Sequence, residues 1–174
     1  MAGKKVVVAG ATGLVGNAAL RHFGGSGGCE VVALSRRMPR DLYGARYVQV
    51  DLTNPAQCGR ASAELQGATH LVYAALYEGP NLVDGWRDPN QIRTNDAMLR
   101  NLMAVLEPVA PSLQHVALLQ GTKAYGVHAV RLPCRRGKAV RKCMSSRIFI
   151  GRRRIFSASC SRAKPGTGAS CGRC

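Results

Sequence analysis

Between Lys4 and Leu119, short apolar runs alternate with stretches whose apolar residues recur every three or four positions. Val6, Val7 and Val8 make an unbroken β-branched run, the pattern of a strand buried on both faces. Leu14, Val15, Ala18, Ala19 and Leu20 follow at helical spacing. Glu30–Ser35 predicts a second strand, and the alternating segment Tyr47–Asp51 a third. Asn54-Pro55 opens a helix, with proline at an early position where its missing N–H costs nothing. The pattern carries that helix to about Gln66, and Gly67 ends it. His70–Ala75 predicts strand four. Ile92, Met98, Leu99, Leu102, Val105 and Leu106 predict a helix near residues 90–107, and His115–Leu119 a fifth strand. Strands alternating with helices predict an α/β fold built on a parallel, doubly wound sheet. Right-handed crossovers then make the carboxyl ends of the strands the ligand edge.

That edge carries the candidate chemistry. Gly10, Gly13 and Gly16 are spaced three and three between the first strand and its helix, in the loop that also holds Thr12, Leu14 and Val15. Gly10 permits a tight turn, Gly13 lets backbone approach a pyrophosphate, and Gly16 lets the helix pack on the strand, a Rossmann-like arrangement. The helix N-terminus offers N–H donors and a positive dipole end to phosphates. A glycine triplet also occurs in turns that hold no cofactor; the strand before and the helix after favour the nucleotide. Strand two ends in Ser35-Arg36-Arg37, where an NAD site usually places an acid. Two guanidiniums beside a hydroxyl suit a 2′-phosphate, which selects NADPH, though they also fit a solvated surface. Asp51 and Leu52 follow strand three; Asp51 either accepts from the adenine amino group or caps the turn through Thr53. Ala74 and Ala75, at the end of strand four, complete the predicted cofactor set.

Composition divides the chain. Its 174 residues suit one domain, and no run of ~18 apolar residues is present to span a membrane. Val6–Val8 behind Lys4 and Lys5 are interrupted by glycines too early for a signal sequence, so a cytoplasmic location is expected. The net charge of +16 is uneven: residues 1–130 hold 12 Lys+Arg and all 9 Asp+Glu, residues 131–174 the other 13 basic residues and no acid. Five of the seven cysteines, Cys134, Cys143, Cys160, Cys171 and Cys174, also lie in that tail. The domain organisation expected is therefore a nucleotide-binding domain over 1–130 and an irregular basic tail over 131–174. As a nucleic-acid arm the tail has little aromatic interleaving. As a zinc site it offers Cys171-x-x-Cys174 without a second close pair, so no metal is expected.

Five segments, Gly10–Gly16, Ser35–Arg37, Val50–Thr53, Thr69–Ala75 and Leu118–Tyr125, together resemble the short-chain dehydrogenase/reductase superfamily. Within its atypical branch they resemble the progesterone 5β-reductase and iridoid synthase-like family, whose bacterial relatives are often labelled NAD-dependent epimerase/dehydratase. The resemblance implies an NADPH-dependent reductase of activated C=C or C=O bonds in a small-molecule enone or carbonyl substrate. It assigns a catalytic lysine to Lys123, which would bind the nicotinamide ribose and hold a phenol ready to polarise the substrate oxygen. The family's tyrosine comes from a later Asn-Phe-Tyr segment that this chain lacks. No tyrosine here is followed by lysine four positions on, so the usual Tyr-x-x-x-Lys pair is missing as well. The stretch Ile148–Phe156 can be encoded so that the same bases, read one position earlier, give Asn-Phe-Tyr-Trp-Ala-Ala-Glu-Asp-Phe. The expectation is a chain translated out of frame from about residues 131–138, with Ile150 in the tyrosine's place, and hence an inactive fragment of a longer reductase. The remaining alternatives are a non-catalytic NAD(P)-binding regulator and a sugar-nucleotide epimerase/dehydratase-like protein, the latter disfavoured by the missing Tyr-x-x-x-Lys.

Overall fold

The computed structural model describes residues 3–79 and 88–119. In chain order the elements are β1 (Lys4–Ala9), α1 (Leu14–Gly25), β2 (Cys29–Ser35), β3 (Arg46–Gln49), α2 (Pro55–Arg60), α3 (Ser62–Leu65), β4 (His70–Tyr73), α4 (Pro89–Val109) and β5 (His115–Leu118). The five strands form one wholly parallel sheet in the order β3-β2-β1-β4-β5. The chain therefore reverses its direction of travel across the sheet between β1 and β4. This is the Rossmann-like fold expected, and its switch point is where such sheets open a ligand crevice.

Both faces of β1 are covered, which is why its sequence does not alternate. Val7 and Ala9 join Val32, Leu34, Leu71 and Tyr73 in a core closed by α2, α3 and α4, through Cys58, Leu65, Leu99, Leu102 and Leu106. Val6 and Val8 point the other way, with Val31 and Ala33, against Leu20, Ala19 and Phe23 of α1. Every one of these strand residues is buried.

The elements depart from the sequence expectations in two places. The single helix expected up to Gln66 is two short ones, broken at Ala61. The Ala61 N–H bonds the Cys58 carbonyl at 3.1 Å, a tighter turn than the α-helical one, two residues after the weak helix former Gly59. Asn54 caps α2 by accepting from the N–H groups of Ala56 at 3.0 Å and Gln57 at 3.2 Å, with Pro55 in the first turn. Strands β3 and β4 end two residues earlier than expected, at Gln49 and Tyr73, so Asp51 and Ala75 belong to loops beyond the sheet. Among the described residues no helix is long and apolar enough to cross a membrane.

Candidate functional site

The loops leaving the carboxyl ends of β1, β2, β3 and β4 surround a cleft of about 460 Å³. Its first wall is the turn Gly10–Val15. Gly10 has φ +84°, and a side-chain carbon there would lie 2.6 Å from the Ala75 backbone nitrogen. Only glycine lets the loops after β1 and β4 touch at the switch point. A Cβ on Gly16 would lie 2.1 Å from the Gly10 carbonyl oxygen, so that position too must be bare for α1 to seat on the turn.

Gly13 differs from both. A Cβ there would meet nothing nearer than the Gly10 oxygen at 3.4 Å, an ordinary contact, and its backbone (φ −75°, ψ 164°) suits any residue. Packing does not require glycine at 13; close approach of a ligand would. Gly13 is also the N-cap of α1, no side chain caps that helix, and its first turn holds no acid. The positive end of α1 therefore faces the cleft with no acid in its own first turn to neutralise it, which suits a phosphate. Leu14, 91% exposed, and Val15 stand at the mouth of this wall.

The second group comes from β2 and β3. Ser35 and Arg36 line the cleft, as do Asp51, Leu52 and Thr53. The Ser35 hydroxyl donates to the Arg37 carbonyl at 2.7 Å, and the Gln49 amide donates to the Arg36 carbonyl at 3.2 Å. The loop carrying both arginines is thus held from inside, leaving the guanidiniums exposed. Asp51 Oδ1 accepts from Thr53 N at 2.9 Å and from Thr53 Oγ1 at 2.7 Å, the turn-capping alternative read from the sequence. Partial burial pushes the Asp51 carboxyl up, but the two Thr53 hydrogen bonds and the Arg36 charge together bring it below the usual carboxylate value. Behind this loop the Cys58 thiol is fully buried, and burial, aided by the Asp51 charge, raises its pKa.

The third wall runs from Ala74 through Glu78. Of the residues singled out in the sequence, Gly10, Thr12, Gly13, Leu14, Val15, Ser35, Arg36, Asp51, Leu52, Ala74 and Ala75 line the one cleft. Gly16 lies beneath the turn, and Arg37 is outside the lining set, engaged through its carbonyl. Lys123 and the tail, with Ile150, lie outside the described residues. The sequence reading missed Leu76, Tyr77 and Glu78 on the third wall and Met98 on α4. The apolar run His70–Ala75 announces a strand but not which way the chain turns after it. The signal that could have found this wall is the pair of amides Gln91 and Asn95, one turn apart on the apolar side of α4.

Comparison with known proteins agrees with this geometry. The model of the NAD dependent epimerase/dehydratase family matches residues 6–140. The 3-oxo-Delta(4,5)-steroid 5-beta-reductase of Arabidopsis thaliana is 29% identical over 127 residues, covering 68% of this chain and 31% of that protein. The (S)-8-oxocitronellyl enol synthase of Antirrhinum majus is 28% identical over 126 residues, covering 68% of this chain and 30% of its own length. The chain thus spans about three tenths of these relatives. Among solved structures, a short chain dehydrogenase from Burkholderia cenocepacia J2315, in complex with NADP, superposes with a TM-score of 0.55 at 23% identity, over 66% of this chain and 52% of that one. At that identity it supports the fold.

Proposed function

Because the chain belongs to the NAD dependent epimerase/dehydratase family, we propose that it is the NADPH-binding part of a reductase acting on activated C=C (enone) or C=O bonds. The observation that carries nucleotide binding is Gly13, a glycine that the protein's own packing does not need, at the uncapped positive end of α1. The α1 turn from Thr12 to Val15 would hold the pyrophosphate. Arg36, assisted by Arg37, would hold the 2′-phosphate, and Asp51 with Leu52 would border the adenine. Ala74 and Ala75 would line the path beyond it, where the bound cofactor supplies hydride. Lys123 would hold the nicotinamide ribose and orient a phenol. On the out-of-frame reading Ile150 would stand where that phenol belongs, and binding without turnover is expected. The reductase assignment draws its support from the kind of relatives matched, a steroid reductase and an enol synthase.

Titration with NADPH and NADH tests the cofactor reading. Arg36→Ala is expected to weaken NADPH by about 10- to 100-fold, the range of a lost charge-assisted hydrogen bond, and to leave NADH unchanged. Equal wild-type affinity for the two cofactors would remove the 2′-phosphate role. Sequencing the coding DNA across codons 125–160 tests the reading frame. An alternative frame continuing as Asn-Phe-Tyr-Trp marks a broken reductase, and its repair should restore enone reduction. The missing tyrosine favours a second reading, a non-catalytic NADPH-binding protein. A secure frame, or binding without activity after repair, selects it.

A further inference from the structure

Beyond Tyr73 the chain leaves β4, and two amide side chains of α4 bond the backbone of the wall that follows. Asn95 is completely buried and Gln91 is 4% exposed. Asn95 Oδ1 accepts from the Tyr77 N–H at 2.9 Å, while its Nδ2 donates to the Tyr77 carbonyl at 2.7 Å and to the Gln91 carbonyl at 3.0 Å. The side-chain amide thus does for Tyr77 what a neighbouring strand would do, accepting from its N–H and donating to its C=O. One turn earlier, Gln91 Oε1 accepts from the Gly79 N–H at 2.7 Å. The same helix reaches the neighbouring loop, where Asn101 Nδ2 donates to the Leu52 carbonyl at 2.9 Å. Three carboxamides of one helix therefore hold the backbone of two loops that line the cleft, and none of the three is among its lining residues.

Burying a carboxamide costs free energy unless its donors and acceptor are used. Leucine or methionine would fill the same volume between α4 and the sheet without that requirement. What the amides add is position: the directions of their bonds fix where Leu76, Tyr77 and Glu78 stand. We infer that Asn95 and Gln91 are positioning residues, which set the cofactor affinity of the cleft by holding its third wall without touching the ligand. This inference rests on the NADPH reading of the cleft.

The test uses the full chain with near-isosteric variants, Asn95→Leu and Gln91→Met, and Leu102→Ala as a core variant about two turns along α4 from Asn95. Two quantities are read: NADPH affinity, and amide exchange at Tyr77 and Gly79 relative to Val7 and Val8. Asn95→Leu should speed Tyr77 exchange and weaken NADPH, each by about tenfold, the scale of leaving buried partners unsatisfied. Gln91→Met should act on the Gly79 amide and weaken NADPH by about threefold, the scale of losing the Gly79 bond. Leu102→Ala should lower the melting temperature yet leave both quantities within about twofold, since its effect is a core cavity. Should Asn95→Leu fail to fold, the Gln91→Met variant decides. The inference is overturned if relative exchange at Tyr77 and Gly79 stays at wild-type rates, or if Leu102→Ala weakens NADPH as much. No NADPH binding by the wild type would defeat the cofactor reading instead, and the exchange ratios would then decide the clamp alone.

Discussion

The two long walls of the cleft are held in shape by opposite means. The Gly10–Val15 wall is shaped by what is missing: bare α-carbons at Gly10 and Gly16 let backbone touch backbone. The Leu76–Gly79 wall is shaped by what is added, the carboxamides of Asn95 and Gln91 reaching across from α4. Steric exclusion acts within the turn at Gly16, against the Gly10 carbonyl, and between loops at Gly10, against the Ala75 backbone. The amide clamp joins positions 18 and 12 residues apart. The first wall is therefore intolerant of a side chain at Gly10 and Gly16, whereas the second is sensitive to the chemistry of two particular ones.

The substitution that strikes both walls at once is Gly10→Ala, because its Cβ would press on the Ala74 and Ala75 backbone at 2.6–2.8 Å from a residue with φ +84°. Overpacking and positive-φ strain each cost about 1–3 kcal/mol, so urea denaturation should show the largest loss of stability here. Gly16→Ala strikes the first wall only. With its Cβ 2.1 Å from the Gly10 oxygen, it should cost about 1–3 kcal/mol by the same measurement. Gly13→Ala separates folding from binding. Its backbone suits alanine, and the entropy gained is offset by alanine's poorer N-cap, so stability should stay within about 1 kcal/mol of wild type, while NADPH affinity measured by fluorescence titration falls. Unchanged affinity would mean that no ligand approaches there.

Smaller effects come from the loop between the walls. Asp51 has a carboxyl pKa below its usual value, so its ionisation stabilises the fold above about pH 4 and the contribution is lost as pH falls through the lowered folded value. The stability difference between wild type and Asp51→Asn should be constant above about pH 4 and shrink below it, measured by melting temperature against pH. The smallest expected readout is chemical. Cys58 is buried with its pKa raised, whereas Cys29 is half-buried. Alkylation of the native protein, followed by mass spectrometry, should modify Cys29 at least about tenfold faster.

Much of this architecture is legible along the chain because its causes are local. The valines of β1 declare a strand buried on both faces, the glycine spacing declares the turn, and Asn54-Pro55 declares a helix start. Local pattern also placed most of the cleft residues, since parallel strands with right-handed crossovers deliver their loops to one edge. It failed at Ala61, where a tight turn divides the expected helix, and at the ends of β3 and β4, which depend on how far each neighbour keeps pairing. By itself, then, the sequence determined the parallel α/β sheet, the glycine turn and the basic residues after β2, all of which follow from neighbours within a few positions. Only the tertiary structure decided that Gly13 is free of packing demands while Gly10 and Gly16 are not, and that Asn95 and Gln91 serve the cleft. Those are contacts between segments that meet only when the sheet has formed and α4 has closed over it.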